Sequence, residues 1–149
     1  MISSQPIFHI RADLGEIVDA GVTPYGGRRV IEILGGRVEG RLSGKILTGG
    51  ADWQIIRSDG VADIQARYVI EADGGARVLV TSNGLRHGPA EVLAAIARGE
   101  RVDPASYYFR TVMRFEASAP ALDWLNRIIA IARGERERLT VKLDVFELL

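Results

Sequence analysis

The sequence predicts an all-β protein, an antiparallel meander forming one domain over residues 1–149. Short stretches alternate apolar with polar residues, as strands with one buried face do. Turn-forming pairs (Gly35-Gly36, Gly49-Gly50, Asp59-Gly60, Gly74-Gly75) separate them. The stretches recur about ten residues apart, the spacing of hairpin-linked strands.

In chain order, Phe8–Leu14 sets Phe8, Ile10, Ala12 and Leu14 against His9, Arg11 and Asp13, a half-buried strand. Arg29–Leu34 follows the turn Tyr25-Gly26-Gly27. Val38–Leu47 contains Gly40 and Gly44, so it reads as two short strands or one strongly bent one. Asp52–Arg57 comes after Gly49-Gly50, and Ser58-Asp59-Gly60 turns the chain into Ala62–Glu71. There Ile64, Ala66, Tyr68 and Ile70 share one face. Ala76–Asn83 is the next strand. One helix is expected near Pro89–Arg98, with Pro89 in its first turn, Val92, Leu93 and Ile96 on one face, and Gly99 as its stop. It is expected to cover an open end or edge of the sheet. Tyr107–Glu116 and Leu139–Glu147 return to strand. Between them, the Ala- and Leu-rich Ala119–Arg133 favours a helix by propensity, against its β-branched Ile128, Ile129 and Ile131.

Composition narrows the function classes. Nineteen Lys and Arg balance nineteen Asp and Glu, so the chain lacks the broad basic field of a nucleic-acid binder. With no cysteine there is no disulfide, thiolate metal site or cysteine nucleophile. The N-terminal segment lacks a signal-peptide pattern, and no apolar run is long enough to span a bilayer as a helix. A cytoplasmic domain without nucleic-acid or membrane partners is expected. His9 and His87 have no metal-ligand spacing. No Gly-x-Ser-x-Gly elbow exists, and no glycine pair opens a helix as a phosphate loop does. Neither a metal nor another cofactor is expected.

An ordered set of short motifs carries a resemblance. It comprises Gly49-Gly50-Ala51-Asp52-Trp53-Gln54, Asp59-Gly60, Ala66-Arg67-Tyr68, Asn83-Gly84, Arg86-His87-Gly88-Pro89 and Asp103-Pro104. Tyr107-Tyr108-Phe109-Arg110-Thr111, Phe115-Glu116, Trp124-Leu125-Asn126 and Leu143-Asp144-Val145 complete it. The chain resembles the bacterial and fungal family known as domain of unknown function 3237 along nearly its whole length. The resemblance implies a closed antiparallel β-barrel similar to the allene oxide cyclase-like barrels, with a strand after Asn126 in place of the helix that propensity favours. Met113, Ala117-Ser118 and Phe146 stand where the family pattern commonly has Pro, Thr-Gly and Tyr. The family brings no agreed chemistry, so function rests on the site.

The candidate site combines polar residues on strands with aromatic neighbours. Asp52, Glu116 and Arg110 are the candidate catalytic residues; Trp53, Tyr68, Asn83, Tyr108 and Asn126 are the candidate substrate contacts. A desolvated carboxylate in a lumen gains pKa and becomes a general acid or base. Arg and Asn can hold a carboxylate or enolate oxygen. Structural roles stand beside these: Asp52 can bond its own Gly-Gly turn, and Arg110 with Glu116 can form an outer-wall ion pair. Alternation favours the latter, since Phe109, Met113 and Phe115 form the apolar face.

The expected function is a cofactor-independent isomerase, cyclase or lyase acting on a small apolar or aromatic carbonyl metabolite. The alternatives are a non-catalytic carrier barrel and a purely structural oligomerisation module. A homodimer or larger homo-oligomer is expected, because zero net charge gives little repulsion between copies and Ile128, Ile129 and Ile131 cannot all face one interior.

Overall fold

The computed structural model describes all 149 residues. Nine strands make one antiparallel sheet: β1 (Phe8–Thr23), β2 (Gly26–Gly40), β3 (Gly44–Ile46), β4 (Gly50–Ile56), β5 (Ala62–Ala72), β6 (Arg77–His87), β7 (Tyr108–Ala117), β8 (Ala130–Arg136) and β9 (Thr140–Glu147). One short helix, α1 (Ala90–Ala97), follows β6. Pairing runs from β1 to β2, β4, β5, β6, β7, β8 and β9, and β9 pairs with β1 again. The short β3 spans β2 and β5 beside β4. No helix is long and apolar enough to cross a membrane.

The alternation seen in the sequence is the alternation of burial. Phe8, Ile10, Ala12 and Leu14 are buried on β1, as are Ala62, Ile64, Ala66, Tyr68, Ile70 and Ala72 on β5. These side chains join Val78, Val80, Phe109, Met113, Phe115 and Val145 in one core. Each fully buried Leu, Ile or Phe contributes roughly 1.5–3 kcal/mol by leaving water. The second possibility for Val38–Leu47 is excluded: β2 ends at Gly40 and β3 begins at Gly44, two separate strands.

Three elements differ from the sequence reading. Gly35-Gly36 is not a turn: it lies inside β2 opposite Asp13 and Ala12, and Gly36 is glycine because a Cβ there would strike the Arg11 carbonyl of β1. β1 continues past Leu14 to Thr23 and pairs with β2 as far as Gly26. Its outer half is exposed on both faces, so it shows no alternation to read. The helix favoured over Ala119–Arg133 is replaced by a 3-10 segment, Pro120–Arg127, and then by β8. Asn126, in the last turn of that segment, ties it to β7: its side chain accepts from Ala117 N and donates to Ala117 O, both at 2.8 Å. Leu125 plugs the core from the same turn. Ile128 and Ile129 lead out of that turn, and Ile131 enters a strand paired on both sides, which outweighs the helical propensity of the alanines.

Candidate functional site

The site is built outward from β4. A Cβ on Gly50 would lie 2.5 Å from Tyr68 Cβ and 2.6 Å from Arg67 O, so only glycine lets β4 approach β5 this closely. Asp52 follows two residues later, opposite Ala66 of β5 and Ile31 of β2. Both neighbours are buried and carry no polar side-chain atom. Asp52 Oδ1 accepts from Gln65 N and Oδ2 accepts from Gln54 Nε2, each at 2.9 Å. Burial raises the Asp52 pKa above the ordinary carboxylate value; these two hydrogen bonds and the charges of Arg86 and Arg136 only partly oppose it.

Gln54, itself fully buried, is locked from its other end: Arg29 donates to its Oε1 through Nη2 at 2.6 Å and Nε at 3.3 Å. Arg86 on β6 and Arg136 on β8 complete a cationic rim. Burial lowers the pKa of all three arginines; Arg136 falls to about 10, with Arg86 and Arg29 adding repulsion. Arg136 remains cationic near neutrality at that value. Its backbone N–H donates to Tyr107 Oη at 2.7 Å, fixing the end of β8. The Arg86 guanidinium lies 5.8 Å from the Phe109 ring centroid, within cation–π range.

These residues surround two adjoining spaces. An inner cavity of about 50 Å3 is lined by Asp52, Gln54, Tyr68, Ser82, Phe109 and Thr111 among aliphatic side chains. An outer basin of about 390 Å3 lies beneath Leu93, Ile96 and Ala97 of α1, so the helix covers one end of the sheet, as expected. Arg86 and Arg136 line both spaces and mark the throat between them. Three buried polar atoms have no hydrogen-bond partner: Tyr68 Oη, Thr111 Oγ1 and Arg136 Nη1. All three belong to residues lining the inner cavity. Buried polar atoms are nearly always paired, so three orphans around one cavity leave it able to hydrogen-bond a polar group. Asp52 is the single carboxylate on the inner lining, which holds no histidine, and the surrounding arginines repel cations. That donor set does not fit a metal ion.

Two of the sequence-predicted site residues meet here. Asp52 and Tyr68 both line the inner cavity, and Tyr68 is only 4% exposed. The others do not join them. Glu116, Arg110 and Tyr108 point outward on β7, whose register with β6 is unbroken, so no bulge turns them inward. Arg110 and Glu116 stand about 20 Å apart along the strand at roughly 3.3 Å per residue, too far for an ion pair. Tyr108 stacks on His87 at 5.0 Å between centroids. Trp53 is 50% exposed, alternating outward between Asp52 and Gln54. Asn83 is exposed on β6, and Asn126 is spent on Ala117 and Asp123.

Sequence reasoning missed Arg29, Gln54, Arg86, Thr111 and Arg136. Strand parity alone locates each: Arg29 shares a face with Ile31 and Ile33, Gln54 with Asp52, and Arg86 with Val80 and Ser82. Thr111 lies between Phe109 and Met113, and Arg136 continues the face of Ala130, Ala132 and Gly134.

Comparison with known proteins agrees with this architecture. The family model described as "Protein of unknown function (DUF3237)" matches residues 2–148. A UPF0311 protein of Bradyrhizobium diazoefficiens is 42% identical over 99% of this chain and 97% of its own length. A crystal structure of a conserved protein of unknown function from Rhodopseudomonas palustris superposes with a TM-score of 0.91 at 41% identity, covering 100% of this chain and 98% of that one. A structure described as a β-barrel like protein from Acinetobacter baumannii AYE gives 0.86 at 41% identity, covering 100% and 97%. A Penicillium herquei protein described as an enzyme shares the fold alone, with a TM-score of 0.67 at 19% identity over 99% and 97%. On the family match and the full-length identities, the chain belongs to the DUF3237 family.

Proposed function

We propose that this chain is a cofactor-independent small-molecule isomerase, cyclase or lyase, with Asp52 as its general acid–base. The sheet is read as a closed barrel similar to the allene oxide cyclase-like barrels, a reading supported by the return of pairing to β1. The reaction belongs in its interior. The observation that carries the function is a lone, desolvated carboxylate facing a cavity in which two buried hydroxyls, Tyr68 Oη and Thr111 Oγ1, are unpartnered.

In this mechanism Asp52 takes a proton from a carbon beside a carbonyl, and the electron pair moves onto the carbonyl oxygen. Burial raises the Tyr68 pKa, so its hydroxyl stays protonated and donates to the developing enolate. Return of the proton at another atom completes an isomerisation; collapse of the enolate with loss of a leaving group completes a lyase reaction. Burial also shifts Asp52 toward the pH at which it works as both base and acid.

The test is hydrogen–deuterium exchange at carbon. Enolisable ketones and unsaturated carbonyl compounds are incubated with the protein in D2O and followed by proton NMR. At least one compound should exchange, and Asp52→Asn should slow that exchange roughly 10²–10⁴-fold. Undiminished exchange in Asp52→Asn removes Asp52 from the role. Saturable binding of the compounds without any exchange favours the carrier reading.

A further inference from the structure

The throat between the two spaces carries more positive charge than the protein neutralises. Arg138 on the basin wall is paired with Glu16 at 2.8 Å, and Arg29 is occupied by Gln54, a neutral acceptor. Asp19 and Asp52 are the acidic groups that act on Arg29 through space. The Arg86 side chain is half-buried and makes no hydrogen bond or ion pair within the protein. Arg136 is 8% exposed, and its Nη1 is buried without an acceptor. Asp52 has already committed one oxygen to Gln54 and the other to the Gln65 backbone.

Burying the Arg136 guanidinium without an acceptor for Nη1 is costly, and the neighbouring Arg86 cation adds repulsion. Such an arrangement is relieved by an anion with flat, paired oxygens, the shape that matches an arginine fork. Apolar side chains make up part of the wall on either side: Ile17, Leu93 and Ile96 outside, Ile31 and Ile64 inside. The body of the anion is therefore largely hydrocarbon, with room for one oxygen facing Tyr68 and Thr111.

We propose that Arg86 and Arg136 bind the substrate's carboxylate at the throat, making the site one for small carboxylic acids with an apolar body. The inference rests on the reading of the Asp52 cavity as the reaction site. Fixing the carboxylate there places the carbons beside it at the inner cavity, within range of Asp52, Tyr68 and Thr111. The substrate class is then a carboxylic acid with a carbonyl or double bond close to its carboxylate. Two cations at the throat also stabilise negative charge as it develops on those neighbouring atoms.

The experiment compares binding of trans-cinnamate, cinnamamide and phenyl phosphate by calorimetry and by amide chemical shifts. The proteins are wild type, Arg86→Gln, Arg136→Gln, Arg136→Lys and Asp52→Asn, each checked for folding by circular dichroism. Cinnamate should bind at least tenfold more tightly than cinnamamide and phenyl phosphate, and should perturb the amides of β6 and β8. Arg86→Gln should weaken cinnamate at least tenfold. Arg136→Lys keeps the charge but loses the fork, and should weaken it less than Arg136→Gln does. If Arg136→Gln does not fold, Arg86→Gln and Arg136→Lys still decide the matter. Equal affinity for acid and amide, preference for phenyl phosphate, or unchanged binding in Arg86→Gln overturns the proposal. Asp52→Asn separates this inference from the catalytic reading, because it should bind cinnamate as well as wild type or better. Retained carboxylate binding with unimpaired exchange in Asp52→Asn defeats only the catalytic reading. Lost exchange on a neutral ketone without carboxylate preference defeats only the substrate class.

Discussion

Gln54 holds Asp52 from two residues along the same strand: its Nε2 donates to Asp52 Oδ2 at 2.9 Å, while its own Oε1 accepts from Arg29 Nη2 at 2.6 Å. The amide thereby links a cation to a carboxylate without either touching the other, and it fixes the orientation of both.

Gln54→Leu breaks that link. Arg29 loses its acceptor and Asp52 loses one of two donors, so stability should fall by about 1–3 kcal/mol, the cost of orphaning buried polar groups. The Gln54 hydrogen bond lowers the Asp52 pKa, so its loss should move the acid limb of any pH–rate profile to higher pH. Urea melts and a rate profile measured on the same variant check both effects.

Asp52→Asn should change how stability depends on pH. The folded pKa of Asp52 lies above its ordinary value of 3.8, so the native state holds more of this proton than the unfolded state does. The contribution is favourable in acid and is lost as pH rises through the folded pKa. The groups acting on it are the positive Arg86 and Arg136, with Gln54 and the Gln65 amide as neutral donors. Relative to wild type, Asp52→Asn should therefore gain stability between pH 4 and pH 7. Denaturant melts at the two pH values measure this directly.

Gly134→Ala should disturb the cavity from behind. A Cβ at this position would meet Phe109 ring atoms at 2.6–2.7 Å, and Phe109 lines the inner cavity. Overpacking of this kind costs typically 1–3 kcal/mol, and the displaced ring should also narrow the site. Loss of ligand binding beyond the loss of stability, measured by calorimetry beside a melt, is the expected outcome.

A homodimer or larger assembly is also expected. Val112 stands opposite Ile131, and Ile131 opposite Phe146, forming an apolar row across the outer wall of β7, β8 and β9. Val112 is 51% exposed. A second copy of the chain would cover such a row with little net charge to oppose it. Light scattering at micromolar concentration should give at least twice the 16.3 kDa chain mass, and Val112→Asp should lower it. A 16.3 kDa particle for wild type counts against the assembly.

Much of the sheet was legible because β5, β6 and β7 each bury one face and expose the other, with turns of Gly and Asp between. β8 was not, because Ala130 and Ala132 suit helix and strand alike until the partners β7 and β9 are present. Within the site, Asp52 and Tyr68 were found from their neighbours, a glycine turn and an apolar strand face. Arg110 and Glu116 were chosen for chemical type although parity already turned them outward. The buried arginines were passed over because arginine on a strand ordinarily faces water; Arg136 does not, and parity outweighs residue type there.

The central claim is that Asp52 is an interior acid–base group, and site-resolved titration of its carboxyl carbon by NMR tests it most directly. With the wild-type protein folded throughout, the midpoint should lie clearly above 3.8 and should rise further in Gln54→Leu. A midpoint at or below 3.8 would make Asp52 an ordinary hydrogen-bonded strand carboxylate and contradict the account.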